Sequence, residues 1–99
     1  MTDDLLTIDS FRPHEGTTFV LHATAEHRVD LTLAGVRALG PGSHGSREPF
    51  ALDFRGPADA PVLAQMTYRL THEQVGEQEI FLVPVGVTPA GADYEAIFT

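Results

Sequence analysis

The sequence predicts a mainly β domain: about six antiparallel strands in a small, partly open barrel or roll, or a compact sandwich, with one short N-terminal helix as cap. Three observations predict it. Apolar residues recur with period two through most of the chain from Thr17 onward. Gly- and Pro-containing stretches interrupt that alternation, as turns between strands do. No stretch is long enough for a crossover helix, so neighbouring strands have to run antiparallel, most simply as a meander. At 99 residues and 10.7 kDa the chain reads as one domain, residues 1–99, with no linker and no internal repeat. Folding a chain of this size buries roughly 65% of its surface, which supports one core without disulfides.

Each element has its own signal. Leu5, Leu6, Ile8 and Phe11 form an apolar patch. Asp9 or Ser10 is placed to cap a short helix over residues 10–15, with Pro13 in its first turn and Gly16 at its end. Phe19, Leu21 and Ala23 alternate with Val20 and His22, and Val29, Leu31 and Leu33 alternate with Asp30 and Thr32. Residues 24–26 join these two strands as a hairpin, and the second continues toward Leu39 with a bulge or bend at Gly35. Residues 40–46 read as a loop. Phe50, Leu52 and Phe54 alternate with Ala51, Asp53 and Arg55 until Gly56-Pro57 stops the third strand. Met66, Tyr68 and Leu70 alternate with Thr67, Arg69 and Thr71 in the fourth, and the chain turns at Gly76. Ile80-Phe-Leu-Val-Pro-Val85 is apolar on both faces, which predicts a strand covered on both sides and ending near Pro84. The N-terminal helix is its expected second cover. Tyr94, Ala96 and Phe98 alternate with Glu95 and Ile97 in the last strand.

Charge and composition exclude several functions. Fourteen acidic and six basic residues give a net charge of -8. The basic residues, all arginine, are scattered at positions 12, 28, 37, 47, 55 and 69, whereas a phosphate backbone or an anionic membrane surface needs a clustered basic face. Nucleic acid is therefore not an expected partner. No apolar run approaches the ~20 residues of a membrane span, and Met1-Thr2-Asp3-Asp4 carries no cationic signal region. The expectation is a cytoplasmic protein without membrane insertion, with export as part of an assembly left open. With no Cys in the chain, disulfides, thiol catalysis and Cys-ligated zinc are removed. Lys and Asn are also absent; their codons are A/T-rich, and the bias reads as that of a GC-rich bacterial genome. Much of the acidic charge falls at the N-terminus (Asp3, Asp4, Asp9) and around one turn (Glu73, Glu77, Glu79), where it keeps a small β protein soluble.

Candidate chemistry is sparse. His22 and His27 could approach each other across the first hairpin, where a carboxylate such as Glu26 could complete a site, and with His72 they make the weakest of three functional readings, a metal-dependent enzyme. Their spacing matches no metal motif, and His72-Glu73-Gln-Val-Gly76 has glycine where the zinc-protease helix needs its second histidine. Ser43, His44 and Ser46 offer a nucleophile and base in one loop, without a third group to hold them. Glu77 and Glu79 share a strand face at a solvated strand start, and Gly40-Pro-Gly-Ser lacks the lysine and helix of a phosphate loop. No cofactor and no catalytic residue is expected. Asp53 and Arg69 would meet if the third and fourth strands pair, a contact of about 0.2–1 kcal/mol.

Four stretches carry a family resemblance: Pro49-Phe-Ala-Leu-Asp-Phe-Arg-Gly-Pro57, Thr67-Tyr-Arg-Leu-Thr-His72, Gly76-Glu-Gln-Glu-Ile-Phe-Leu-Val-Pro-Val85 and Tyr94-Glu-Ala-Ile-Phe98. Together they resemble a family of short bacterial proteins of about this length, known only as a domain of unknown function. The Phe-Arg-Gly-Pro corner and the Glu-x-Phe-Leu-Val-Pro strand are its most specific parts. The resemblance implies a genomic neighbourhood of phage-tail-collar-like proteins, and brings no activity, cofactor or catalytic residue with it.

The leading expectation is a non-enzymatic interaction or structural module, an accessory subunit of a larger bacterial, phage-tail-like assembly. It would bind a protein partner or itself through exposed edge strands. Arg55, Tyr68 and Arg69 are its candidate interaction residues, since Tyr and Arg are enriched in hot spots. The alternative is a barrel binding a small ligand between Phe19, Phe50, Phe54, Tyr68 and Phe98.

Overall fold

A computed structural model describes residues 6–40, 49–58 and 60–98. After a four-residue helix, α1 (Ile8–Phe11), and a 3-10 turn (Arg12–His14) come six strands. These are β1 (Thr18–His22), β2 (Arg28–Ala38), β3 (Phe50–Arg55), β4 (Met66–His72), β5 (Gly76–Thr88) and β6 (Gly91–Phe98). They close into a barrel in the order β1-β2-β3-β6-β5-β4, with every neighbouring pair antiparallel. The Ser43, His44 and Ser46 loop lies outside the described residues, as do Asp3, Asp4 and Leu5.

Period-two alternation builds the wall. Phe19, Leu21, Leu31, Leu33, Phe50, Leu52, Phe54, Leu70, Leu82, Tyr94 and Ala96 are buried and form one cluster. Burying each large side chain of this kind stabilises the fold by about 1.5–3 kcal/mol. The bulge expected near Gly35 is present: the β2–β3 register shifts between Leu33 and Gly35.

The pairing is not a plain meander. β1-β2-β3 and β4-β5-β6 are two separate meanders, joined so that β3 pairs with β6 and β4 with β1. Residues 56–65 have to span the ring between β3 and β4. Two tyrosines hold them there: the Tyr94 hydroxyl accepts from the Leu63 N–H at 2.8 Å, and the Tyr68 hydroxyl donates to the Ala64 carbonyl at 2.7 Å. The expected Asp53–Arg69 pair is therefore not formed, because β3 and β4 sit on opposite sides of the barrel. Closure also takes up both edges that an open barrel or sandwich would offer. Among the described residues every strand is paired on both sides over at least part of its length, so the expected edge strands shrink to short one-sided stretches such as residues 83–88 of β5.

The helix and β5 also differ from expectation. The helix starts earlier, with Thr7 as its N-cap, and the Ser10 hydroxyl accepts from the Thr7 N–H at 3.0 Å. Pro13 falls in the 3-10 turn, where its missing N–H costs nothing, and Gly16 follows at φ +89°. The helix does not cover β5. Its Phe11 is fully buried, with ring centroids 6.4, 5.9 and 5.6 Å from those of Phe19, Phe50 and Phe98, so it plugs the barrel from one end. β5 continues through Pro84 to Thr88, with a register shift between Pro84 and Gly86. Proline is tolerated because the β4 ladder has already ended at Leu82, leaving β5 paired with β6 over residues 83–88. On the outer side of β5, Phe81 is 49% and Val85 56% exposed. The strand is apolar on both faces and covered on one.

Candidate functional site

The candidate interaction residues are not brought together. Tyr68 is only 7% exposed and, like Leu70, points into the barrel. Burial raises its hydroxyl pKa above the usual tyrosine value. Arg55 on β3 and Arg69 on β4 lie on opposite sides of the ring. Each has a carboxylate partner: Arg55 Nε donates to Asp93 Oδ1 at 2.8 Å, and Arg69 lies 3.4 Å from Glu77. The more organised ion-pair group centres on Arg37, a residue that no sequence motif singles out. Arg37 Nε donates to Asp53 Oδ2 at 2.8 Å, and its Nη2 donates both to Asp53 Oδ1 at 3.0 Å and to Glu95 Oε2 at 2.6 Å. The two carboxylates raise the guanidinium pKa still further. Gly35 stands opposite Asp53 in the register, and a Cβ at Gly35 would lie 3.3 Å from Asp53 Oδ2. The bulge glycine thus leaves room for this carboxylate, and the signal for Arg37 was its position just past that bulge.

The aromatic set of the small-ligand alternative fills the interior. Phe19, Phe50 and Phe54 are buried, Phe50 and Phe98 stack at 4.8 Å, and Phe19 meets Phe54 edge-on at 5.5 Å. With Phe11 inserted among them, these rings pack against one another.

The three histidines of the metal reading are also apart in role. His22 Nε2 is 3.0 Å from Thr71 Oγ1. His27 closes the β1–β2 turn, its N–H donating to Thr24 Oγ1 at 3.1 Å. His72 lies in an open cleft of about 740 Å³, together with Pro13, His14, Thr17, Glu73 and Gln74. Among the described residues no three His, Asp or Glu side chains come together as a metal ion would require.

The His72 cleft holds what first looks like a nucleophile and its base, with Thr17 Oγ1 at 2.9 Å from His72 Nε2. The hydrogen bonds argue against that chemistry. His72 Nδ1 faces the N–H groups of Gln74 and Val75 at 3.0 and 3.2 Å, so it is the acceptor and carries no proton. Neutral imidazole then has its proton on Nε2, which donates to Thr17 Oγ1. The Thr17 hydroxyl in turn donates to the His14 carbonyl. A base that activates a hydroxyl needs the opposite tautomer, held by an acceptor at Nδ1. His72 is built to hold a turn to the N-terminal segment. Burial is the main cause that lowers its pKa, the His14 ring 4.8 Å away adds to the effect, and Glu73 opposes it.

Comparison with family models finds a match to Domain of unknown function (DUF6916) over residues 6–98. The chain belongs to this family. No curated protein and no solved structure matches it. In this DUF6916 chain, the Phe-Arg-Gly-Pro corner has a clear structural task. Gly56 donates its N–H to the Ala92 carbonyl at 2.9 Å, and a Cβ on Gly91 would lie 2.1 Å from the Gly56 oxygen. Gly91 also takes φ +136°, a region that disfavours side chains. The corner is a close crossing of two backbones that fixes the start of β6 beneath the β3–β4 connection. The second motif, Glu79 to Pro84, is the half-covered part of β5. Its Ile80 and Leu82 are buried, while Phe81 points out. On β6, Ile97 is 50% exposed and lies two residues past Glu95, the partner of Val83.

Proposed function

We propose that this protein is a non-enzymatic interaction module that binds a protein partner through the outer face of β5 and β6, as a component of a larger assembly. One observation carries the reading: the most apolar strand is covered on one side only, leaving Phe81, Val83 and Val85 on β5 and Ile97 on β6 outside the core. Large apolar side chains left exposed on an otherwise charged protein are what binding faces use, and this chain has a net charge of -8. The packed interior and the tautomer of His72 favour contact over ligand storage or catalysis.

The test compares wild type with Phe81→Glu/Ile97→Glu. Both positions are half exposed, so folding stability should move by only about 0.5 kcal/mol per site. Immobilised wild type and an Asp30→Ser control should retain the same specific protein from extract of the source cells. The double variant, still cooperatively folded at the assay temperature, should retain at least tenfold less, the loss of about 1.4 kcal/mol. Equal retention by all three proteins would contradict the proposal.

A further inference from the structure

The closing seam of the barrel is its shortest ladder. β1 and β4 pair only at Val20–Thr71, Leu21–Leu70 and His22–Arg69, whereas β4 and β5 pair over all of Met66–His72. Two side-chain bridges flank the seam, and each passes through a histidine. At one end His22 on β1 meets Thr71 on β4; at the other, His72 on β4 meets Thr17, immediately before β1. The second bridge continues through the Thr17 hydroxyl to the His14 carbonyl, which ties in the turn behind Phe11.

We propose that the β1–β4 seam is an acid-sensitive latch: protonation of His72 at Nδ1, which has to break its bonds to the 73–75 turn, loosens the barrel's closure and the N-terminal plug together. The two rings resist a proton for different reasons. His72 Nδ1 already accepts two backbone N–H groups of the 73–75 turn, and a proton there would set three donors against one another. The groups facing it are His14 from the 3-10 turn, the Phe19 ring of β1 at 4.3 Å, and Glu73 beside it in the turn. Only Glu73 favours the proton. His22 is faced by Arg69 of β4 and Arg28 of β2, with Glu77 of β5 opposing them. Burial and these arginines lower its pKa; burial and His14 lower that of His72. Both rings therefore bind protons less readily in the closed barrel than in the open chain, where the value is 6.5. Closure is at full strength above that pH and weakens as the pH falls below it. An opened seam frees one edge of β1 and one of β4, and a displaced plug bares Phe19, Phe50 and Phe98 at the barrel end.

The test is amide hydrogen exchange of the full chain between about pH 7.5 and pH 5, corrected for intrinsic exchange, with ring nitrogens followed by NMR. At the higher pH, His72 should show its proton on Nε2. As the pH falls through the imidazole range, protection of residues 8–22 and 69–72 should fall, while that of β3 and β6 changes less. His22→Gln/His72→Asn, in which Asn can still accept from the turn, should lose the pH dependence. Should the double variant fold poorly, wild type alone decides: the Gln74 and Val75 amides must shift with the same midpoint as the His72 ring. Protection that is flat with pH in wild type, unlinked midpoints, or an undiminished pH dependence in the double variant would each overturn the latch.

Discussion

Phe11→Ala should unfold the N-terminal segment and cost the barrel a large part of its stability. Phe11 is fully buried and lies within 6.4 Å, centroid to centroid, of three other phenylalanine rings. Loss of its apolar burial accounts for about 1.5–3 kcal/mol. Each ring pair adds roughly 0.5–1.5 kcal/mol beyond area, partly recovered if Phe98 and Phe19 close the gap. The sum lands at about 3–5 kcal/mol, the usual range for burying then deleting a phenylalanine. A domain of this size has only about 5–15 kcal/mol in total. Helix α1 has four residues and cannot persist without its anchor, so the segment should detach rather than enclose a cavity. Urea unfolding measures the loss, and Phe11→Leu, which keeps the plug, should cost under about 1.5 kcal/mol. A loss below about 1 kcal/mol for the alanine variant would refute the role of Phe11 as the plug of the barrel.

Three further substitutions test other parts of the fold. Gly91→Ala should cost at least about 3 kcal/mol in chemical unfolding, since it adds a left-handed-region penalty of about 1–2 kcal/mol to a Cβ set 2.1 Å from the Gly56 oxygen. Tyr94→Phe leaves the Leu63 N–H without its acceptor and should cost about 1–3 kcal/mol, with faster amide exchange at Leu63. Arg37→Ala removes both ion pairs of an exposed guanidinium, and its cost should stay below about 1 kcal/mol and shrink in high salt.

The sequence carried the local structure well and the long-range pairing poorly, for physical reasons. Alternation at Phe19/Leu21, Phe50/Leu52/Phe54 and Tyr94/Ala96 locates strands and inward faces directly, since side chains switch sides at every residue. The same rule puts Tyr68 with Leu70 and away from Arg69, so a shared exposed patch conflicts with the strand's own parity. Which strands become neighbours depends on contacts far apart in sequence. The β3–β6 and β4–β1 ladders follow from a connection held by Tyr68 and Tyr94, whose hydroxyl partners no local pattern announces. The bare side of β5 was hidden by a reasonable inference: an apolar strand was expected to be covered twice within one chain. The His72 tautomer was beyond reach, because it depends on two turn amides and on Thr17, fifty-five positions away in sequence.

Photo-crosslinking in the source cells tests the central claim, that the outer side of β5 meets a protein partner. A Phe81→benzoylphenylalanine variant places the reactive ketone on that face, and the same residue at Asp30 samples an exposed position on β2. Position 81 should give one discrete adduct, absent from position 30 and lost when Ile97→Glu is added. No adduct from position 81, or the same adducts from both positions, would contradict it.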